Sequence, residues 1–140
     1  MEILIETAFE TINQEKVKSI MSYLNSYLSL KLDLLFLHFT SDEKMLEINN
    51  KYLKHDYFTD IITFDLRDNI SNDAEIYISL ERVYENAMLL SLENEEELYR
   101  VCIHGMLHLA GFEDKTETEK KEMRSLENKY LKKLFHVKQC

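Results

Sequence analysis

A pair of histidines and a nearby aspartate stand out in the sequence as candidate metal ligands. His104 and His108 are four residues apart in a stretch with helical periodicity, so both imidazoles lie on one face, one turn apart. Gly111 follows His108 by three residues, where a glycine can adopt the left-handed conformation that ends a helix. The chain can then turn back and bring Asp114 to the histidines. Imidazole and carboxylate groups are zinc ligands, so this segment predicts a metal site.

The spacing H-x-x-x-H-x-x-G-x-x-D matches that of metzincin zinc sites, with an aspartate in place of the third histidine. Metalloproteases of this layout carry a glutamate general base directly after the first histidine, and Gly105 stands there instead. Peptide hydrolysis is therefore disfavoured. Histidines four apart also occur by coincidence in cores and on surfaces. Gly111 and Asp114 at the matching offsets favour the metal site.

Two acidic residues beside this segment have open roles. Asp60 opens a predicted strand, where it either accepts a hydrogen bond from a ligand histidine or satisfies the local backbone. Glu113 adjoins a predicted ligand, but a glutamate in a turn is more often solvated than catalytic. The sequence therefore shows no evident general base.

Arg100 is the candidate cation of the site. It precedes His104 by one helical turn, so it can face the cleft and contact substrate. The alternative is a surface arginine that pairs with Glu96 or Glu97.

The composition indicates a globular protein without a general affinity for nucleic acid. The chain has 140 residues, 45% of them apolar and 31% charged, and is expected to form one domain over residues 1–140. Its net charge of −9 excludes a generic basic binder, so any RNA contact needs a local basic patch, a metal ion or a partner protein. No apolar run approaches the roughly 20 residues that span a bilayer. The two cysteines and the absence of a secretory signal predict a cytoplasmic protein.

Hydrophobic periodicity predicts four strands interleaved with five helices, an α+β fold with a mixed sheet. The predicted strands are Glu2–Glu6, Leu32–Phe39, Asp60–Leu66 and Glu75–Leu80. The predicted helices are Asn13–Leu30, Ser41–Leu53, Leu80–Leu90, Glu93–Ala110 and Glu117–Phe135. The second strand is expected to be buried on both faces, and Tyr52 and Leu53 are expected to point inward.

Several motifs resemble those of the YbeY endoribonucleases. Residues 104–114, HGMLHLAGFED, are similar to the family signature His-Gly-x-Leu-His-Leu-x-Gly-Tyr/Phe-Asp-His. Asn49-x-x-Tyr52 and the segment 59–64, TDIITF, look like its N-x-x-Y and T-D-V-L-S-F elements. Residues 74–79, AEIYIS, are similar to its G-D-I-x-I-S strand.

This resemblance implies a zinc-dependent endoribonuclease that acts on single-stranded RNA. It further implies a role in maturation of the 3′ end of small-subunit ribosomal RNA and in ribosome quality control. The implied metal is one zinc ion, held by His104, His108 and Asp114, with Asp60 and Arg100 as possible further site residues. Ribosomal RNA, a small-subunit ribosomal protein and a ribosome-associated GTPase are the implied partners.

The sequence departs from the family pattern at two positions. Asp114 replaces the third histidine, and Leu53 replaces an arginine, with Lys54 and His55 following. Because the arginine is absent, a metal-stabilised ribosome-assembly factor with little catalysis remains an alternative, and a zinc peptidase is the weaker one.

Overall fold

The structure is a computed structural model that describes residues 1–9, 11–53 and 59–134 of the 140-residue chain. Within these residues the strands are β1 (Glu2–Thr7), β2 (Leu34–Thr40), β3 (Ile61–Asp65) and β4 (Asp73–Ser79). The helices are α1 (Gln14–Tyr27), α2 (Asp42–Leu53), α3 (Leu80–Leu89), α4 (Asn94–Leu109) and α5 (Glu117–Leu134). The predicted α+β class and the order of its elements are confirmed.

The strands form one mixed sheet in the order β1-β2-β4-β3. β2 pairs in parallel with both β1 and β4, whereas β3 is antiparallel to β4. One face of the sheet belongs to the main hydrophobic core, which also contains residues of α1, α3, α4 and α5. The other face carries a smaller cluster of Met45, Ile48 and Ile62 under α2. β3 therefore lies at a sheet edge, in contact with α4.

Helix α4 is enclosed along almost all of its length. Nearly every residue from 97 to 109 is buried, because the helix contacts α1, α3, α5 and β3. Three glutamates occupy its first turn, where their charge favours the positive end of the helix dipole. The side chains that α4 presents are therefore held from several sides.

Two predicted features of burial are wrong. β2 is fully buried only on its core side, while Phe36 and His38 on the other face are half-buried because α2 covers only part of that face. Tyr52 and Leu53 are 61% and 41% exposed, since the cluster beneath α2 does not extend under its last turn.

The element ends differ from the prediction by a few residues, most at α1. This helix ends at Tyr27 rather than Leu30, and Ser29 and Lys31 have φ values of 55° and 59°. The side chain of Asn25 bonds to both backbone groups of Leu32, which draws the chain back towards the helix. The predicted end of the last helix, Phe135, lies outside the described residues. No helix within the described ranges has the length and apolar character needed to cross a membrane.

Candidate metal centre

Helix α4 carries both histidines and ends directly after them. The rings of His104 and His108 meet edge to face, with centroids 4.4 Å apart. The N–H of Gly111 donates to the carbonyl of His108 at 3.0 Å, and that of Phe112 donates to Leu107 at 3.1 Å. These two bonds form a Schellman motif, for which Gly111 supplies a φ of +98°. The predicted glycine reversal is present, and it returns the chain towards the histidines.

Asp114 lies at the point where the returning chain meets the two rings. Its Oδ2 atom is 3.2 Å from Nε2 of His104 and 3.6 Å from Nε2 of His108. Two ligand atoms held about 2.1 Å from one zinc ion at a tetrahedral angle are about 3.4 Å apart. All three groups offer ligand atoms within 4.8 Å of one another. The three side chains can therefore share one metal ion.

Hydrogen bonds at Nδ1 orient both imidazoles for this role. Nδ1 of His104 lies 2.6 Å from Oε2 of Glu127, and Nδ1 of His108 lies 2.9 Å from the carbonyl oxygen of Phe112. Because both partners are acceptors, the neutral form of each ring has its hydrogen on Nδ1 and its lone pair on Nε2. The lone pairs point to the side of the site where Asp114 lies, which is the arrangement that histidine ligands adopt around a metal.

Negative charge is concentrated around His104. Burial lowers the pKa of this imidazole, but its hydrogen bond to Glu127 and the charges of Glu127, Asp114 and Asp60 outweigh burial and raise the pKa overall. Burial raises the pKa of Asp60, although the nearby charge of His104 opposes this. A site where carboxylates surround an imidazole attracts a cation, whether a proton or a metal ion.

Glu127 on α5 is the site residue that sequence reasoning missed. It is 4% exposed and makes a hydrogen bond with His104, which is one of the two roles expected of Asp60. Asp60 lies in the same pocket, and its carboxylate accepts hydrogen bonds from its own backbone N–H and from that of Ile61, which is the other role expected of it. A signal was present, because Glu127 falls in the buried stripe of α5 with Met123, Tyr130 and Leu131.

Comparisons with known proteins agree with the motifs read from the sequence. The family model described as Endoribonuclease YbeY matches residues 3–135. The chain belongs to the YbeY family. A relative from Flavobacterium psychrophilum, named Endoribonuclease YbeY, is 53% identical over 103 residues, covering 72% of this chain and 71% of the relative. One from Bacteroides fragilis with the same name is 50% identical over 93 residues, covering 66% of this chain and 67% of the relative.

The YbeY assignment is accompanied by a match to a solved structure. A protein from Thermotoga maritima, determined in solution, superimposes with a TM-score of 0.64 at 26% identity. The superposition covers 99% of this chain and 91% of that protein. The likeness thus extends over the whole fold and not only over the histidine motif.

The histidines and Asp114 line a pocket of about 940 Å³. Leu53, at the position of the family arginine, contributes an apolar side chain to its wall. Asp60 and Arg100 line the same pocket, and Glu113 lies at its exposed rim. Lys54 and His55 are outside the described residues. The YbeY pattern is therefore retained at the histidines and altered at the wall beside them.

Arg100 lines the pocket but its charge is already offset. Its Nη1 lies 2.7 Å from Oδ1 of Asn128 and 3.4 Å from Oε1 of Glu127, and its Nε lies 3.6 Å from Glu97. The expected pairing with Glu97, and more weakly with Glu96 at 4.0 Å, is observed. The expected position at the surface is not observed, because Arg100 is only 8% exposed. In this arrangement Arg100 holds Glu127 in place behind His104.

Gly105 occupies the position of the protease glutamate because α4 packs closely on the sheet there. A Cβ atom at this residue would lie 2.9 Å from Cδ1 of Ile61, 3.2 Å from Cδ1 of Ile76 and 3.4 Å from Oγ1 of Thr63. A longer side chain has no room between helix and strands. The position therefore faces strands β3 and β4 of the sheet.

Replacing Gly105 with glutamate is expected to destabilise the fold without creating a peptidase. The change combines overpacking with burial of a carboxylate, and we expect the free energy of unfolding to fall by about 3 kcal/mol or more. Gly105→Ala is the matched control, since its Cβ displaces only the ends of two isoleucine side chains. Urea denaturation of both variants measures the difference. An unchanged midpoint for Gly105→Glu would contradict the packing argument.

Proposed function

We propose that this chain is a zinc-dependent, single-strand-specific endoribonuclease that matures the 3′ end of small-subunit ribosomal RNA and takes part in ribosome quality control. The endoribonuclease assignment follows from membership of the YbeY family and from the shared name of its relatives. The observation that carries the metal dependence is the convergence of two Nε2 atoms and one carboxylate oxygen. His104, His108 and Asp114 would hold the ion.

The donor set supports zinc as the metal. Two imidazole nitrogens and one carboxylate oxygen are donors that zinc accepts, and three protein ligands are the number that catalytic zinc sites use. When bound there, zinc supplies Lewis-acid polarisation of a phosphate oxygen and lowers the pKa of water towards about 7. Glu127 and the Phe112 carbonyl fix the imidazoles that would hold it.

The pocket around the ligands suits a single strand better than a polypeptide. Gly105 removes the glutamate that a protease of this layout uses as its base, and the sheet leaves no space to restore it. Glu113 is exposed at the rim, which agrees with its expected solvation. The pocket volume of about 940 Å³ lies within the range of roughly 300–1,000 Å³ for ligand sites and is large enough for a nucleotide segment.

Partner proteins belong to the same proposal. A chain with a net charge of −9 gains little from RNA by long-range attraction, so cationic partners would assist its recruitment. A small-subunit ribosomal protein and a ribosome-associated GTPase are the partners proposed, in the cytoplasm. We therefore expect the chain to associate with small ribosomal subunits in a cell extract. A high-salt wash should remove it from them.

Cleavage of RNA by purified, metal-quantified protein tests the proposal. We expect single-stranded RNA to be cut, structured RNA to be spared, and both chelation and His104→Ala to abolish cutting, because each removes the metal. Zinc added back should restore the chelated native protein but not the variant. Binding without cleavage would instead favour the assembly-factor alternative. Casein digestion that requires zinc would favour the peptidase.

A further inference from the structure

The acidity of the pocket raises the question of how it accepts a phosphate backbone. Its lining includes six carboxylates against four lysines and arginines. The carboxylates are Asp60, Asp65, Glu97, Glu113, Asp114 and Glu127. A polyanion can enter only where cations are exposed and not already neutralised.

The cations of the pocket are confined to one side among the described residues. No lining residue from the α2 and β3 side is a lysine or arginine, and the family arginine is replaced there by Leu53. Arg100 from α4 is buried and surrounded by Glu97, Glu127 and Asn128. The remaining cations, Lys115, Lys120 and Arg124, lie in α5 and in the loop before it.

Lys120 and Arg124 have the geometry of a phosphate-binding pair. They are four residues apart on α5, so they share one face and are separated by about 6 Å along the helix axis. Their side chains are 58% and 55% exposed. Lys120 pairs only loosely with the exposed Glu117, at 3.7 Å, and Arg124 lies 3.6 Å from Oε1 of Glu127. The pair of Lys120 with Glu117 is fully at the surface and contributes little. Arg124 shares the buried Glu127 with Arg100, and its guanidinium, which has five N–H donors and is half exposed, keeps donors for a ligand.

We propose that Lys120 and Arg124, with Lys115 at the loop, form the wall that binds the phosphate backbone of single-stranded RNA beside the metal site. This rests on the proposed function. The α5 side then carries the positive charge that the family places at the position of Leu53. The backbone follows α5, and the bases face the wall of α2 and β3, which carries no lysine or arginine among its described lining residues.

The salt dependence of RNA affinity tests this wall directly. The zinc-loaded protein binds a fluorescent single-stranded oligoribonucleotide, with intactness of the RNA checked on a gel. Lys120→Gln/Arg124→Gln should weaken binding about 10-fold and lower the slope of log K against log salt by about 1.4, or 0.7 for each phosphate that the protein no longer neutralises. Arg124→Lys should keep the native slope because it keeps the charge.

A matched control removes the same charge from the same helix outside the pocket. Lys129 and Lys133 are exposed and lie over the rings of Tyr23, Tyr27 and Tyr130, and neither lines the pocket. Lys129→Gln/Lys133→Gln should change affinity less than about 2-fold, since it lowers only the net charge. Zinc content and melting temperature of every variant distinguish weaker phosphate binding from a displaced Glu127.

Three results would overturn the proposal. The first is a salt slope in the Lys120/Arg124 variant equal to that of the native protein. The second is an RNA affinity in the Lys129/Lys133 variant that is weakened as much as in the Lys120/Arg124 variant. The third is the absence of measurable RNA binding by the zinc-loaded native protein. The wall and the proposed function fail separately. If the native protein binds RNA with the expected salt slope but does not cleave it, the proposed wall stands and the proposed nuclease activity is rejected. If the native protein cleaves RNA and the Lys120/Arg124 variant binds it as well as the native protein does, the nuclease activity stands and the wall is rejected.

Discussion

Replacing Asp114 with alanine is expected to lower zinc affinity by at least about 100-fold and to remove RNA cleavage at stoichiometric zinc. Structural zinc sites bind with roughly 10–16 kcal/mol, so one ligand of three or four accounts for about 3 kcal/mol or more. The Oδ2 atom of Asp114 lies 3.2 and 3.6 Å from Nε2 of the two histidines, so Asp114 is the proposed third ligand. Without it two imidazoles on one helix turn remain, and they cannot close a site.

Competition with a chromophoric chelator measures the affinity, and metal analysis after dialysis measures occupancy. Glu113→Ala is the matched control, because it removes a neighbouring exposed carboxylate that is not among the three convergent ligands. It should keep full occupancy. Asp114→His should also keep zinc, since it restores the third histidine of the family signature. Full zinc occupancy in Asp114→Ala would show that the third ligand is another group.

The convergence of His104, His108 and Asp114 could be predicted from the sequence because its geometry is local. His104, His108, Gly111 and Asp114 lie within one helix end, where helical spacing and a left-handed glycine decide which atoms meet. The order of strands and helices was also predictable, because hydrophobic periodicity records which face of each element is buried. The ends of the elements were less predictable. At the end of α1, for example, the side chain of Asn25 forms hydrogen bonds with the backbone of Leu32, beyond the helix.

The supporting shell could not be derived in this way because it depends on how α5 packs against α4. Glu127 is 23 residues from His104 in sequence, and periodicity does not say which buried groups of two helices touch. The same limitation applies to Arg100, whose burial arises because Glu127 and Asn128 approach from α5. A carboxylate in an otherwise apolar stripe indicates that a buried partner exists, but not which one.

Replacing Glu127 with glutamine is expected to weaken zinc binding by about 10- to 100-fold, the usual effect of changing the hydrogen-bond partner behind a ligand histidine. Glutamine keeps the shape of the side chain but removes the charge that strengthens the 2.6 Å hydrogen bond with His104. Glu127→Ala should in addition lower the free energy of unfolding by about 3 kcal/mol, because Arg100 is then left without one of its buried carboxylates. Asn128 and Glu97 remain beside Arg100, so the loss of unfolding free energy should not be much larger than this.

Glu97→Gln separates the two effects, since Glu97 is also a buried carboxylate beside Arg100 but makes no hydrogen bond with a histidine. Both glutamine variants should be less stable in urea, whereas only Glu127→Gln should bind zinc more weakly. The difference follows from the position of each carboxylate: Glu97 contacts Arg100 at Nε, while Glu127 bridges Arg100 and His104. An equal fall in zinc affinity in the two variants would mean that the buried charge cluster acts on the metal as a whole, and that the hydrogen bond to His104 has no special part in binding.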